Sequence, residues 1–245
     1  MPRITNLRIL LLACAVSMAA CDSRPQREAS KSDVKTLTQL CDHFPTDKCP
    51  FHHNYVEIYD MLFSQLRNQP IRILEIGVLK GDSLRLWEAY FPTARIFGID
   101  IADLAHHNTS RIKTLIADQS DRRALARIIR VTGGEFDIIL DDGGHRMEQQ
   151  QISFGVLFPT LKSGGLYIIE DIHTSFPDRY PGFGVESDGR NSTYALIDGY
   201  ARTLKIQSKY LTSAENDYLS RNISYCSYYL RSNKFHSDFF ACRKK

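Results

Sequence analysis

Two short runs carry the residues best suited to chemistry: Asp141, Asp142, Gly143, Gly144 and His145 form one, and Glu170, Asp171, Ile172 and His173 the other. Each run ends an apolar, β-branched stretch, so the carboxylates stand at the tips of two predicted strands. Adjacent parallel strands end on one rim of a sheet, which brings these acids to a common crevice. Acids gathered in one place repel unless something positive joins them, and a cation bound through oxygen is the natural neutraliser. Hard carboxylates with no thiolate nearby favour Mg²⁺ over zinc. His145 falls at the start of the next predicted helix, whose positive end favours a neutral ring able to accept a proton. An isolated histidine is more often a cap or a satisfied core residue. After two acids and two glycines on a binding rim, His145 is the candidate base, and His173 reads as a wall of the pocket.

A second constellation lies upstream. Leu74, Glu75, Ile76, Gly77, Val78, Leu79, Lys80 and Gly81 lead from a strand into a helix capped by Asp82 or Ser83. Glycines there let the backbone approach a ligand at the carboxyl end of the strand. Gly77 and Gly81 do not make GxGxxG, so a dinucleotide pyrophosphate site is not supported. Asp100 ends the second predicted strand about twenty residues after the glycine loop, where it can accept hydrogen bonds from both hydroxyls of a ribose. Asp118 and Gln119 end the third, where an adenine would lie. Solvated loop acids are the bland account of these residues, and three at successive strand ends argue against it.

The elements that must position these residues follow from periodicity. Short buried runs at 71–76, 95–99, 112–117, 136–141 and 165–170 read as strands, separated by helical stretches at 83–90, 122–130 and 149–161. Tyr55, Ile58, Tyr59, Leu62, Phe63 and Leu66 recur at helical spacing before the first strand. A Pro/Gly-rich excursion at 176–189 precedes a helix at 193–203, and alternating segments at 223–230 and 238–242 make a hairpin. The expected fold is α/β: a doubly wound, Rossmann-like, mostly parallel sheet with a C-terminal antiparallel hairpin. Such a pair closing one edge suits a class I methyltransferase better than a dinucleotide dehydrogenase.

The chain has 245 residues, 43% hydrophobic and 24% charged, enough for one sizeable core. A net charge of +3 with scattered Lys and Arg gives no nucleic-acid footprint. Arg3 and Arg8 followed by an apolar run at 9–20 have the order of a secretory signal peptide, too short to span a bilayer. Met18, Ala19, Ala20 and Cys21 resemble a lipobox, which would make Cys21 a lipid anchor. Residues 21–34 read as a polar linker and 35–245 as the folded domain. The expectation is an exported chain, with a cytoplasmic one beginning at Met18 as the alternative. Of six cysteines, Cys14 would leave with the signal and Cys21 would carry lipid. Cys41 with Cys49, and Cys226 with Cys242, could then close disulfides in an oxidising compartment. Neither CxxC nor a Cys/His zinc spacing occurs. Sequons at Asn108, Asn191 and Asn222 have meaning only in a eukaryotic secretory pathway.

Taken together, these motifs resemble the Mg²⁺-dependent sugar O-methyltransferases of macrolide and polyketide biosynthesis, the mycinamicin and rhamnosyl-tetracenomycin type, within the class I S-adenosylmethionine (SAM) dependent methyltransferases. The resemblance runs from Thr46, Asp47 and Lys48 through His53, Asn54 and Tyr55, the stretch 74–87, Tyr90 to Pro92, and Gly98 to Asp100. It continues through Asp118 to Asp121, the stretch 136–145, Phe154, Leu157 to Pro159, Gly164 and Gly165, and 169–175. It implies that Asp142, Glu170 and Asp171 ligate the metal and that His145 is the general base. It also implies SAM contacts from Glu75, Gly77, Gly81, Asp100, Asp118, Gln119 and Tyr55, with the Thr46 segment near the methionine end. The implied reaction is in-line methyl transfer to a hydroxyl of a sugar-bearing small molecule. Gly144 departs from the family's usual Ser, Cys49 and Pro50 from a glycine and a polar residue, and 178–189 matches nothing in it. Two readings stand beside the enzyme. One is an exported binding protein that kept the fold without catalysis, against which Asp142, His145, Glu170 and Asp171 together argue. The other is a cephalosporin-hydroxylase-like relative, which iron dependence would separate. Export conflicts with a cofactor made in the cytosol, and the acceptor, its ring position and any homo-oligomer stay open.

Overall fold

In the computed structural model the described residues are 35–231 and 237–245. The expected signal segment, Cys21 and the linker to residue 34 lie outside them, as do residues 232–236, where the sequence leads one to expect a turn. Within the unit Lys35–Lys245 the chain opens with α1 (Leu37–Leu40) and α2 (Val56–Phe63). An alternation then follows: β1 (Arg72–Ile76), α3 (Asp82–Tyr90), β2 (Arg95–Asp100), β3 (Ile112–Ile116), α4 (Arg122–Thr132), β4 (Phe136–Asp141), α5 (Met147–Leu157) and β5 (Leu161–Glu170). After α6 (Thr193–Thr203) and α7 (Ser213–Asn222) come β6 (Ile223–Leu230) and β7 (Asp238–Lys244).

The strands form one sheet in the order β3-β2-β1-β4-β5-β7-β6. β1 to β5 pair in parallel, whereas β7 runs antiparallel to both β5 and β6. Both faces are covered, which explains why the central strands read as unbroken apolar runs. Successive side chains go to opposite faces. Ile73, Ile138 and Ile168 join a core with Tyr59, Phe63 and Trp87 of α2 and α3. Leu74, Ile139 and Ile169 join the other, with Leu125, Phe154 and Leu196 of α4, α5 and α6. The chain goes outward in one direction through β2 and β3 and in the other through β4 and β5. The crevice between the tips of β1 and β4 is therefore the topological switch point, where sheets of this kind bind ligands.

Three departures from the sequence expectation have physical causes. The helix expected over 149–161 ends at Leu157, because Pro159 cannot extend the α ladder and a 3₁₀ turn, Phe158–Thr160, takes over. β5 then begins at Leu161 rather than at residue 165. α7 was not anticipated: only Leu219 of it is buried, so it has no apolar period, although Thr212 and Glu215 form a capping box at its start. Cys41 pairs with Cys49, and Cys226 with Cys242 across the β6–β7 register. Among the described residues no helix is long and apolar enough to cross a membrane.

Candidate active site

A cavity of ≈ 570 Å³ opens at the tips of β1 to β4. The loop after β1 passes directly against the loop after β4. Gly77 has φ 85°, and a Cβ there would fall 2.1 Å from the carbonyl oxygen of Asp142, so only glycine fits. Its N–H donates to Ile99 O at 2.9 Å, and the Asp142 N–H donates to Ile76 O at 3.0 Å, which ties three strand tips into one rim.

Asp100, at the end of β2, lines the cavity and organises the glycine loop. Its Oδ2 accepts from the N–H groups of Val78 (2.9 Å) and Leu79 (3.3 Å), and its Oδ1 from that of Ala102 (3.0 Å). Burial alone would raise this carboxyl, but these donors outweigh it and leave the pKa below its usual value. Asp118 is exposed at the rim, with Oδ1 accepting from the N–H and hydroxyl of Ser120. Gln119 is buried and fixed at both ends: Nε2 donates to Asp141 Oδ1 at 3.0 Å, and Oε1 accepts from the Gly144 N–H at 2.8 Å. Asp141 does not join the other acids. It shares the sheet face of Ile139, where Ser153, Gln119 and Tyr167 donate to it, and burial pushes its carboxyl up.

Three groups converge beside the cavity. Ligand atoms of Asp142, His145 and Asp171 all lie within 4.8 Å of one another. His145 Nε2 stands 3.4 Å from Asp171 Oδ2 and 3.9 Å from Asp142 Oδ1. His145 and Asp171 both have left-handed backbone, φ 55° and 54°, which residues other than glycine adopt seldom; Asn54, Leu79, Glu135 and Leu204 share it among the described residues. Burial would raise the Asp171 carboxyl, yet the imidazoles of His145, His53 and His173, together with the Tyr55 hydroxyl, hold it below its usual range.

Glu170 stands one residue earlier and so faces the other way, on the Ile168 side of the sheet. Its carboxylate is 1% exposed and accepts from the Tyr59 hydroxyl at 2.7 Å and from Lys48 Nζ at 3.0 Å. Lys48 is also 1% exposed, and its ammonium donates to Asp142 Oδ2 as well. Burial opposes the charge on Lys48, but the carboxylates of Asp142 and Glu170 outweigh it and hold its pKa well above the usual value. Burial pushes Asp142 up to about 6, with Lys48 opposing. These acids thus meet a cation of the chain's own, Lys48, besides any metal ion, and in the sequence its only signal is its place after Thr46 and Asp47.

Of the residues assigned to cofactor binding, Gly77, Asp100, Asp118 and Gln119 line the cavity, and Glu75, Gly81 and Tyr55 do not. Glu75 is fully buried on the Ile73 side of β1, where its Oε2 accepts from Trp87 Nε1 at 3.0 Å. Burial pushes it up to about 7, opposed by Lys48. Gly81, φ 73°, caps α3 against the ring of His107. The Tyr55 hydroxyl donates to Asp171 Oδ1 at 2.9 Å and accepts from the Asp238 N–H at 3.1 Å, so it orients the cradle from behind. Asp142 and His145 line the cavity, while Asp171 and Glu170 back them. His173 lies outside the lining as well, its Nδ1 held 3.2 Å from Asp238 Oδ1.

The strand order, the antiparallel hairpin and the position of the cavity define a class I methyltransferase fold. No protein-family profile matches the chain. It is 38% identical over 218 residues to the mycinamicin VI 2''-O-methyltransferase of Micromonospora griseorubida, which covers 84% of the chain and 51% of that enzyme. It is also 38% identical over 183 residues to the demethylmacrocin O-methyltransferase of Streptomyces fradiae, covering 72% and 43%. Among solved structures, the MycE methyltransferase of the mycinamycin pathway, in complex with Mg, SAH and mycinamycin VI, superimposes with a TM-score of 0.71. The identity is 32%, over 87% of this chain and 55% of that one. Within its class, the chain is thus a homologue of the macrolide and tetracenomycin sugar O-methyltransferases. It spans about half the length of the curated relatives it matches.

Proposed function

We propose that the chain is a SAM-dependent O-methyltransferase that acts, with a divalent cation, on a hydroxyl of a sugar or glycosylated small molecule. The observation that carries this reading is the convergence of Asp142, His145 and Asp171 beside a cavity with Asp100 at its ribose position. The donor set suits a hard cation: the carboxylates of Asp142 and Asp171, with Glu170 adjacent, while His145 stands beside them with its Nε2 free to act as the base. The cavity suits an adenosine, since Gly77 leaves room at the switch point and Ile76, Val78, Ile99 and Ile101 offer apolar walls. The homologue MycE is seen with Mg and SAH, which agrees with both.

When bound, SAM would supply an electrophilic methyl group, and a Mg²⁺ ion, which Asp142 and Asp171 with the adjacent Glu170 would hold, would supply positive charge that eases loss of a proton from a hydroxyl. His145 Nε2 takes that proton, and Asp171 Oδ2, 3.4 Å away, stabilises the imidazolium that results. Tyr55 holds Asp171 through its other oxygen. Asp100 is placed for the ribose, and Gln119, immobilised by Asp141 and Gly144, forms the floor nearby. The test is transfer of label from methyl-labelled SAM to a panel of glycosylated macrolides and polyketides. Incorporation that stops on adding chelator supports the reading, and incorporation indifferent to chelator overturns its metal half.

We also propose that the chain is exported, with residues 1–20 as the signal and Cys21 as a lipid anchor, and that both cysteine pairs are disulfides in the mature protein. The pairing of Cys41 with Cys49 and of Cys226 with Cys242 supports an oxidising compartment. Mass spectrometry of the chain from its native cells tests this. A lipidated N-terminus at Cys21 with no free thiols is expected, and an intact cytosolic chain with reduced cysteines would contradict it.

A further inference from the structure

The acid cradle already contains one cation, the ammonium of Lys48. A lysine this deeply buried persists only when paired, because removing its charge from water is not repaid otherwise. Lys48 Nζ meets Asp142 Oδ2 and Glu170 Oε2, and stands 3.8 Å from Glu75 Oε1. The backbone delivers it from a fixed position. Its N–H donates to Thr46 Oγ1, its carbonyl accepts from the Val56 N–H at the start of α2, and the next residue, Cys49, pairs with Cys41.

We infer that Lys48 is a positioning residue for the divalent-cation site: a permanent counter-ion that stays in place when the metal binds. This rests on the metal reading above. Asp142 divides its two oxygens, with Oδ2 on Lys48 and Oδ1 towards His145 and the cradle, so the ammonium and a metal need not share an oxygen of that carboxylate. Glu170 is fixed at both oxygens, by Lys48 and by Tyr59. Lys48 answers charge on Asp142 and Glu170, with Glu75 and Asp47 3.8 Å and 3.9 Å from its ammonium, and a divalent ion would answer the charge that Asp142 and Asp171 turn towards the cradle. Without Lys48 the same acids would repel one another or take up protons, and either change disperses the ligand set.

The experiment is calorimetric titration of Mg²⁺ into the metal-free full chain, as wild type, Lys48→Met and Lys48→Arg. Wild type binds one ion. Lys48→Met, checked for folding by circular dichroism, weakens binding about 10- to 100-fold, as loss of an outer-shell partner does. Lys48→Arg restores part of that loss. Equal or tighter binding by folded Lys48→Met overturns the inference, since a lysine that merely competed with the metal would give that result. No uptake by the wild type overturns the metal reading itself and the Lys48 role with it. If Lys48→Met does not fold, a crystal structure of the wild type with Mn²⁺ decides. Nζ still bonded to Asp142 and Glu170 agrees, and Nζ displaced by the ion refutes.

Discussion

Asp171 Oδ2 lies 3.4 Å from His145 Nε2, and both residues reach that position through left-handed backbone. Strain of this kind costs on the order of 1–3 kcal/mol per residue and persists only where surrounding structure fixes it. The arrangement gives His145 a stabilising anion for the proton it takes. His145→Ala should lower turnover about 10²- to 10⁴-fold while leaving SAM affinity nearly unchanged. Steady-state kinetics beside a SAM titration would show this, and undiminished turnover would remove His145 from the chemistry.

Asp171→Ala removes a carboxylate from the cradle and also leaves the Tyr55 hydroxyl without its 2.9 Å acceptor. The variant should lose its response to added Mg²⁺. Activity that still rises with Mg²⁺ as in the wild type would show that Asp171 does not serve the ion.

Gly77→Ala combines a φ of 85° with a Cβ placed 2.1 Å from a backbone oxygen of the opposite loop. Because backbone rather than a mobile side chain is struck, the rim must open. A loss of at least about 2 kcal/mol in urea unfolding is expected, with weakened SAM binding. Wild-type stability would mean that the two loops do not meet as described.

Glu75 and Trp87 offer an optical probe, because Trp87 is the sole tryptophan and its indole N–H donates to the Glu75 carboxyl. Burial, opposed by Lys48, puts Glu75 at about 7, above its ordinary value of 4.5. The folded state therefore holds a proton that the unfolded chain releases. This contribution to stability is complete below about pH 4.5 and is lost as pH rises through about 7. Tryptophan fluorescence of the metal-free protein should titrate near pH 7, and Glu75→Gln should abolish the transition. A persisting transition would assign it to another group.

Reduction should matter to stability. If Cys226 and Cys242 are bridged, dithiothreitol lowers the melting temperature, by an amount set by a stabilisation of about 2–4 kcal/mol. A Cys226→Ser variant should then melt below the oxidised wild type and, once dithiothreitol is added, together with the reduced wild type. Identical melting with and without reductant would show free thiols.

The central sheet was legible because strands covered on both faces have unbroken apolar runs, and β4 falls where those residues alone place it. Strand tips were legible for the same reason, which is why Asp142, His145 and Asp171 could be brought together from sequence. What a strand tip does not declare is which side of the sheet each acid takes. The two-residue alternation held that answer. Glu75 shares a face with Ile73 and reaches Trp87, Glu170 shares a face with Ile168 and reaches Tyr59, and Asp141 follows Ile139 towards Ser153. Lys48 was illegible because it lies in a loop, beside Asp47 and Pro50, where a lysine ordinarily meets water. Only the long-range fold brings Asp142 and Glu170 to it.

Calorimetry of the purified chain with SAM, in the presence and absence of Mg²⁺, tests the central claim most directly. One SAM site per chain is expected in both conditions, with one divalent ion taken up and lost in the Asp171→Ala variant. A chain that binds neither SAM nor Mg²⁺ would contradict the claim that the tips of β1 to β5 build a methyl-donor pocket beside an ion cradle.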